Sequence, residues 1–313
     1  MRWGSALLFA AACVLAPSSA HATYSILAVD TRDGTVGAAV ASCVDLATVE
    51  RVYGSVPGKG AIVTQSYLKD GANADGLALI ANGTAPNDVL VALLDPTYDP
   101  EFQLRQYAVV DVLGDIAAYT GPDALAYANM ETFDVDGYVV SVQGNILTGP
   151  GVIDGARSAF EAGGCDLADR LMLALEAAGS SGQGDNRCAA DGVPAKSATL
   201  DVDPPGMAAG TFLRLTHESP GDPPQDDPTV TIRSSFDAWR TSHPCPVDQA
   251  GAGGGVPGGV PPNSEPSRNG TEDGCSVASS SHDAPTWLPL LVVVLRLKRR
   301  RLRGGADRNV VPT

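Results

Sequence analysis

Two hydrophobic rhythms alternate along the chain. Residues 24–29 (YSILAV) and 36–41 (VGAAVA) are short β-rich runs flanking Asp30-Thr31-Arg32-Asp33-Gly34, a turn sequence, and together they predict a β-hairpin. Residues 60–66 (GAIVTQS) read as a further buried strand. Helical periodicity then takes over at 73–82 and 85–94, the second stretch opening on Thr84-Ala85-Pro86-Asn87, a capped start with proline in the first turn. A second hairpin is predicted at 106–112 and 115–120 around Leu113-Gly114, and 138–142 is a strand ending in Gln143-Gly144-Asn145. Two helices follow at 152–162 and 166–178, the latter with Leu167, Leu171, Leu175 and Ala178 on one face. Residues 198–202, 212–216 and 229–232 read as short strands, and 234–239 opens a last helix. Paired strands interrupted by pairs of helices predict a layered α+β domain, not alternating parallel βαβ units.

The pattern breaks down at both ends. Arg2, the apolar run 6–16 and the small residues of Ala20-His21-Ala22 predict a secretory signal peptide over 1–22, too short to span a bilayer. Cleavage after Ala22 makes Thr23 the first residue, with a free amine beside its own hydroxyl. An α-amino group titrates at roughly 7.7–8.0, so it can act as general base toward that hydroxyl. The domain proper is expected at 23–246, followed by a disordered Gly/Pro/Ser-rich linker at 247–285. At 286–313 the apolar stretch 287–297 meets a cluster of Arg296, Lys298, Arg299, Arg300, Arg301 and Arg303. That stretch falls short of the roughly 20 residues a membrane helix needs. The expectation is an exported protein that associates with membrane or cell envelope through its tail.

Formal net charge is −15, and much of the basic charge lies in the tail, so the domain itself is strongly acidic. No basic stripe exists to neutralise phosphates, which argues against a nucleic-acid partner. Of six cysteines, Cys13 leaves with the leader; Cys43, Cys165, Cys188, Cys245 and Cys275 remain, in an oxidising compartment. Cys165 and Cys188 flank one predicted helix and the loop after it and form the expected structural disulfide, although spacing alone does not fix connectivity; Cys43 reads as a small buried strand residue. CxxC spacing is absent and the histidines are scattered, so neither a metal site nor a Ser-His-Asp triad is expected. The acidic loop 222–227 lacks the pattern of a calcium loop and reads as a solvated turn. Without a phosphate-cradling glycine loop, no cofactor is expected.

Several segments in order resemble the domain-of-unknown-function family 1028: TYSILAVDTRDGTVGAAVASC (23–43), GAIVTQSY (60–67), RQYAVVDVLGDIAAYTG (105–121), VSVQGNILTG (140–149), LADRLMLALEAA (167–178) and GDNRC (184–188) with Ser197-Ala198. That family is similar in sequence pattern to the N-terminal-nucleophile hydrolases. The resemblance implies their four-layer αββα sandwich, with Thr23 as the reactive residue. The chain departs from the proteasome-type pattern, which places an aspartate and a lysine after the nucleophile; here those regions read Ala38-Ala39-Val40 and Gly54-Ser55-Val56, and nearby Lys59 reads as a turn lysine. The C-terminus resembles the myxobacterial C-terminal sorting tag in Gly274-Cys275-Ser276, Trp287-Leu288-Pro289-Leu290-Leu291 and residues 298–301, which implies processing at Cys275; a plain weak anchor is the competing reading.

Around Thr23 the candidate partners are amides and hydroxyls. Gln65 and Ser66 end a strand that can face the opening between sheets, and Gln106 with Gln143, Gly144 and Asn145 offers donors for an oxyanion or a substrate amide. Strand-end and turn duty is the alternative for each. Asp30 and Asp33 suit a β-turn, and Asp185, Arg187 and Ser197 suit a polar cluster around Cys188. Two functions follow as expectations: a surface-retained hydrolase of amide or related acyl bonds acting through Thr23, with Gln143 and Asn145 at the oxyanion; or a non-catalytic surface module binding glycan, peptidoglycan or protein.

Overall fold

In the computed structural model, which describes residues 23–245, every strand pair is antiparallel. The chain opens with β1 (Thr23–Asp30) and β2 (Thr35–Ser42), then a single turn α1 (Leu46–Val49), β3 (Tyr53–Val56) and β4 (Gly60–Ser66). Helices α2 (Ala72–Ala81) and α3 (Pro86–Leu93) lead to β5 (Arg105–Asp111), β6 (Ile116–Thr120), β7 (Asn129–Val135) and β8 (Tyr138–Asn145). Next come α4 (Gly151–Ala162), α5 (Leu167–Ala178), the short α6 (Asn186–Ala189), β9 (Ser197–Asp203), β10 (Leu213–Glu218) and α7 (Pro228–Ser242). The strands form a six-stranded sheet, β10-β9-β2-β1-β8-β7, and a four-stranded sheet, β3-β4-β5-β6. The α+β class expected from the pattern is the one found.

Three apolar clusters show how the layers meet. Tyr24, Ile26, Val140 and Val142 pack outward from the larger sheet onto Phe160, Leu171, Leu175 and Phe236 of α4, α5 and α7. Leu27, Val29, Val36 and Val40 face Ala61, Val63, Ala108 and Val110 of the smaller sheet. Ile62, Tyr107 and Val109 face Val89 and Leu93 of α3. The small residues Ala, Gly and Val permit close approach: a Cβ on Gly37 of β2 would lie 2.6 Å from the Asp201 carbonyl oxygen and 2.9 Å from Leu171 Cδ1.

Three expectations are corrected. Residues 229–232 are the first turn of α7 and not a strand, because Asp227 caps it, accepting from Thr229 N at 2.8 Å, and Pro228 sits at the first helical position. Gln143-Gly144-Asn145 do not leave the strand; they pair with β1 to its first residue. The Cys165–Cys188 disulfide is replaced by two others, Cys43–Cys188 and Cys165–Cys245. Cys43 follows β2 and is carried to Cys188 by the sheet, across a sequence separation of 145, which outweighs proximity along the chain. Two disulfides suit an oxidising compartment. Among the described residues no helix is long and apolar enough to cross a membrane. The leader, the linker, the tail, Ala22 and Cys275 lie outside the described residues.

Strand β9 turns Thr199, Asp201 and Asp203 away from the helices, all buried. Asp203 is fully engaged by Tyr53 Oη (2.9 Å), Ser55 Oγ (2.7 Å) and Gly210 N (2.5 Å). Burial pushes the Asp201 carboxyl up to about 7, against the pull of Arg214, whose Nε lies 3.3 Å away. The folded chain therefore keeps a proton that the unfolded chain releases near pH 4. The stability from this group is present below that pH and is lost as pH rises to about 7. Asp201→Asn is expected to raise stability at pH 8 by up to about 4 kcal/mol, with the gain vanishing at pH 4. Urea midpoints at the two pH values measure it, and an equal effect at both removes the assignment.

Candidate functional site

At one end of the space between the sheets, the apolar core gives way to hydroxyls and amides. Strand alternation puts Thr23 and Ser25 of β1 on the same face as Leu27 and Val29, which meet the opposite sheet. By the same rule Ser141, Gln143 and Asn145 of β8 follow Val139, Ser42 of β2 follows Val40, and Gln65 and Gln106 follow Val63 and Ala108. Thr23 is only 1% exposed and pairs with Ser42 on one side and Asn145 on the other. Its backbone N–H donates to Asn145 Oδ1 at 2.9 Å, its hydroxyl to Ser42 Oγ at 3.3 Å, and its carbonyl accepts from Gln65 Nε2 at 3.2 Å. The side chains of Asn145, Ser42 and Gln65 that make these contacts are neutral.

Gln65 and Gln106 interlock across the gap. Gln65 Oε1 accepts from Ser25 Oγ (2.6 Å), and Gln65 Nε2 donates to Gln106 Oε1 (2.8 Å). Gln106 Nε2 reaches Thr120 Oγ1 (2.8 Å), the Gly144 carbonyl (3.1 Å) and the Asn129 carbonyl (3.2 Å). Gln106 is thus saturated and acts as a tie between sheets. A Cβ on Gly144 would lie 2.7 Å from Leu147 Cδ1 and 3.0 Å from the Thr23 carbonyl oxygen, so a side chain there would displace Leu147 and crowd the start of β1. Gln143 differs from its neighbours. Neither its Nε2 nor its Oε1 has a partner, and Asn145 Nδ2 and Ser141 Oγ are likewise unpartnered, all fully buried. Such groups carry an uncompensated desolvation cost of about 1–3 kcal/mol each unless something polar meets them.

The structure thus brings Thr23, Gln65, Gln106, Gln143, Gly144 and Asn145 together and leaves Ser66 aside. Ser66 closes β4 at φ 74°, and its buried hydroxyl has no partner. Asp30 and Asp33 lie at the far end of β1, roughly 20 Å from Thr23 at strand rise. Asp30 holds Arg32 there and Asp33 accepts from Thr35 N, as turn residues do. Lys59 is also a turn residue, donating to the Ala81 carbonyl. Of the polar cluster expected around Cys188, Asp185 and Arg187 are joined, Asp185 accepting from Cys43 N at 2.6 Å and from Arg187 Nη2 at 2.9 Å, whereas Ser197 donates to the Val44 carbonyl at 2.7 Å. Ser42 and Ser25 were missed; the alternation that selects Thr23 also selects them. Cys165, Asp169 and Cys245 are spaced to hold a metal, but the two cysteines are bonded to each other. A surface cavity of about 260 Å³ opens between the β3 and β4 segments and α2, with Arg51, Tyr53, Thr64, Lys69 and Asn73 in its lining; Thr23 does not line it.

Fold and site together define a mixed α+β domain whose first strand presents a buried threonine to a neutral amide and hydroxyl network. A family model described as a family of unknown function, DUF1028, matches residues 23–224, and the chain belongs to that family. Among solved structures the chain is similar to protein SPO2555 from Silicibacter pomeroyi, also described as DUF1028. The likeness has a TM-score of 0.57 and 24% sequence identity and covers 70% of this chain and 89% of that one. At that identity it concerns the fold. No curated protein matches the chain.

Proposed function

We propose that the protein is an exported hydrolase of amide or related acyl bonds, of the N-terminal-nucleophile type and with that group's αββα sandwich, in which Thr23 is the nucleophile. The observation that carries this is the setting of Thr23: the first residue of a central strand, with its nitrogen on Asn145 Oδ1 and its hydroxyl on Ser42 Oγ. The family match also begins at Thr23, directly after the Ala20-His21-Ala22 junction. Signal cleavage would turn that nitrogen into an amine while keeping it a donor to Asn145. In this reading the amine is the base for its own hydroxyl.

Oγ1 adds to the acyl carbon as its proton passes to the amine, and the carbonyl electron pair moves onto oxygen. The unpartnered Asn145 Nδ2, with Gln143 Nε2 beside it, suits that oxyanion. Collapse breaks the bond to the leaving nitrogen, which takes the proton from the ammonium. Water, deprotonated by the same amine, then cleaves the acyl-threonine ester and restores Thr23. The rate rises with pH through the amine's titration, since only the neutral amine accepts the proton.

N-terminal peptide mass spectrometry on protein from its native envelope tests the first step, and labelling with an electrophilic acyl probe tests the second. A mature chain starting at Thr23 and carrying the probe there is the expected result; any other start removes the amine and the mechanism. Retention at the cell surface through the tail, by processing at Cys275 or by a weak anchor, is part of the same proposal. Intact-mass analysis of the mature chain decides it: persistence to Thr313 rules out the sorting tag.

Gln143→Met separates packing from chemistry. It removes two unpartnered polar atoms at similar volume, so the melting temperature is expected to hold or rise. Probe labelling is expected to fall on the order of 10²-fold, the scale of one lost oxyanion donor. Unchanged labelling assigns Gln143 to packing alone.

The absent aspartate–lysine pair favours a second reading, a non-catalytic surface module. Saturable binding to cell-wall material that survives Thr23→Ala, with no probe adduct, would establish it.

A further inference from the structure

The amides around Thr23 are used unequally. Gln65 gives its Nε2 to Gln106 Oε1 and to the Thr23 carbonyl and accepts from Ser25 Oγ, and Gln106 is held at both ends of its amide. Asn145 Oδ1 accepts from Thr23 N. Gln143 keeps both ends of its amide open in a fully buried side chain, and the Ser141 hydroxyl beside it is open as well. With Asn145 Nδ2 and Gln143 Nε2 turned to an oxyanion, Gln143 Oε1 is a buried acceptor that still lacks a donor.

Strand register fixes where this acceptor lies. Thr23 pairs with Asn145 and Ser25 with Gln143, so Thr23 and Gln143 are diagonal neighbours on one face of the sheet. Such neighbours are about 7–8 Å apart, a span that a glutamine side chain and a small acyl group bridge together. Gln143 sits one step further from the strand end than Thr23, toward Leu27, where the polar lining stops. A leaving group departs by the strand end before water arrives. The part of the substrate that reaches Gln143 is therefore the acyl part, which stays on Thr23. Ser25 and Met130 flank Gln143 across the sheet, and Ser141 and Asn145 flank it along β8; all four are uncharged. An ammonium brought there would be desolvated with no counter-charge among them, whereas an amide N–H needs only the acceptor.

We infer that Gln143 is a specificity-determining residue and that the acyl group of the substrate carries an uncharged N–H, as in an acylamino or ureido group, close to the carbonyl attacked by Thr23. Gln143 Oε1 accepts from that N–H while Nε2 serves the oxyanion. This rests on Thr23 being the nucleophile.

The test uses mature protein starting at Thr23 and two β-lactone probes. They differ only at the carbon next to the lactone carbonyl, which bears an acetamido group in one and an acetoxy group in the other. Intact mass follows the rate of Thr23 acylation, and dividing each rate by that probe's hydrolysis in buffer removes the difference in intrinsic reactivity. The parent is expected to favour the acetamido probe at least about tenfold, since a site that hydrogen-bonds a substrate N–H rejects the analogue without it. Loss of an oxyanion donor slows both probes alike, so their ratio reports Oε1 alone. Gln143→Met is expected to slow both and erase the preference. Gln143→Glu, which keeps an acceptor in either protonation state, is expected to slow both and retain it. Equal rates in the parent, the result if buried water alone meets Gln143, overturn the assignment while leaving Thr23 as nucleophile. So does a preference that survives Gln143→Met or is lost in Gln143→Glu. Labelling by neither probe removes both. If Gln143→Met fails to fold, competition on the parent decides: N-methylacetamide, and not methyl acetate, must slow labelling by the acetoxy probe, and equal competition by both overturns the inference.

Discussion

Thr23→Ala is expected to eliminate turnover and acyl-probe labelling while leaving the fold in place. Loss of a nucleophile from an acyl-transfer site costs on the order of 10⁶ in kcat. The structural cost is expected to be modest: the 3.3 Å hydrogen bond that the hydroxyl donates to Ser42 is worth about 1 kcal/mol, or roughly 2–4 °C in a domain of this size. Thr23→Ser keeps both amine and hydroxyl and is expected to retain activity. A chain with one extra residue before Thr23 keeps the hydroxyl and loses the amine, and should be as inactive as the alanine variant. Activity in either of these two inactive designs would show that the reacting group lies elsewhere. Kinetics and circular dichroism on the three proteins make the comparison.

The second large effect belongs to the Cys43–Cys188 bond. It closes a loop across a sequence separation of 145, for which the chain-entropy argument gives about 5 kcal/mol. The double variant Cys43→Ser/Cys188→Ser is expected to melt some 10–20 °C lower. It should also label more slowly at temperatures where it remains folded, since the bond holds the residue next to Ser42. Cys165→Ser/Cys245→Ser, with a separation of 80, loses comparable entropy but lies at α5 and α7. It should lose stability without a change in labelling of Thr23. Parallel behaviour of the two pairs would deny the first any role at the site.

What the sequence showed and what it hid divide by how much of each strand is buried. The β1–β2 and β5–β6 hairpins, β4 and the helix pairs were legible because their apolar runs are continuous or periodic. Strands β3 (Tyr53–Val56) and β7 (Asn129–Val135) left no such trace: each is an edge strand, only partly buried, and the run NMETFDV mixes charge with aromatics. The β-branched TVTI at 229–232 misled because the Asp227 cap and Pro228 outweigh strand preference there. The end of β8 misled for another reason. Polar residues at 141, 143 and 145 signal an exit from the core only if the inner layer is apolar, and at this end it is not. The leader junction and the resemblance named Thr23, and strand-end position named the amides; Ser42 was within reach of the same alternation, whereas the partner of Cys188 depends on sheet order and could not be read from spacing.

The bond between Cys165 and Cys245 has a mechanical consequence. Cys245 closes the described part of the chain just beyond α7, and its partner sits in the loop joining α4 to α5. Tension applied from the C-terminal side enters the domain through that covalent link and bypasses α7, whose turns would otherwise peel away one hydrogen bond at a time. The load reaches the α4–α5 layer, which lies on the opposite face of the larger sheet from Thr23. Under the proposed tethering through the tail, the strain would fall behind the end of the sheets that holds Thr23 and not in it.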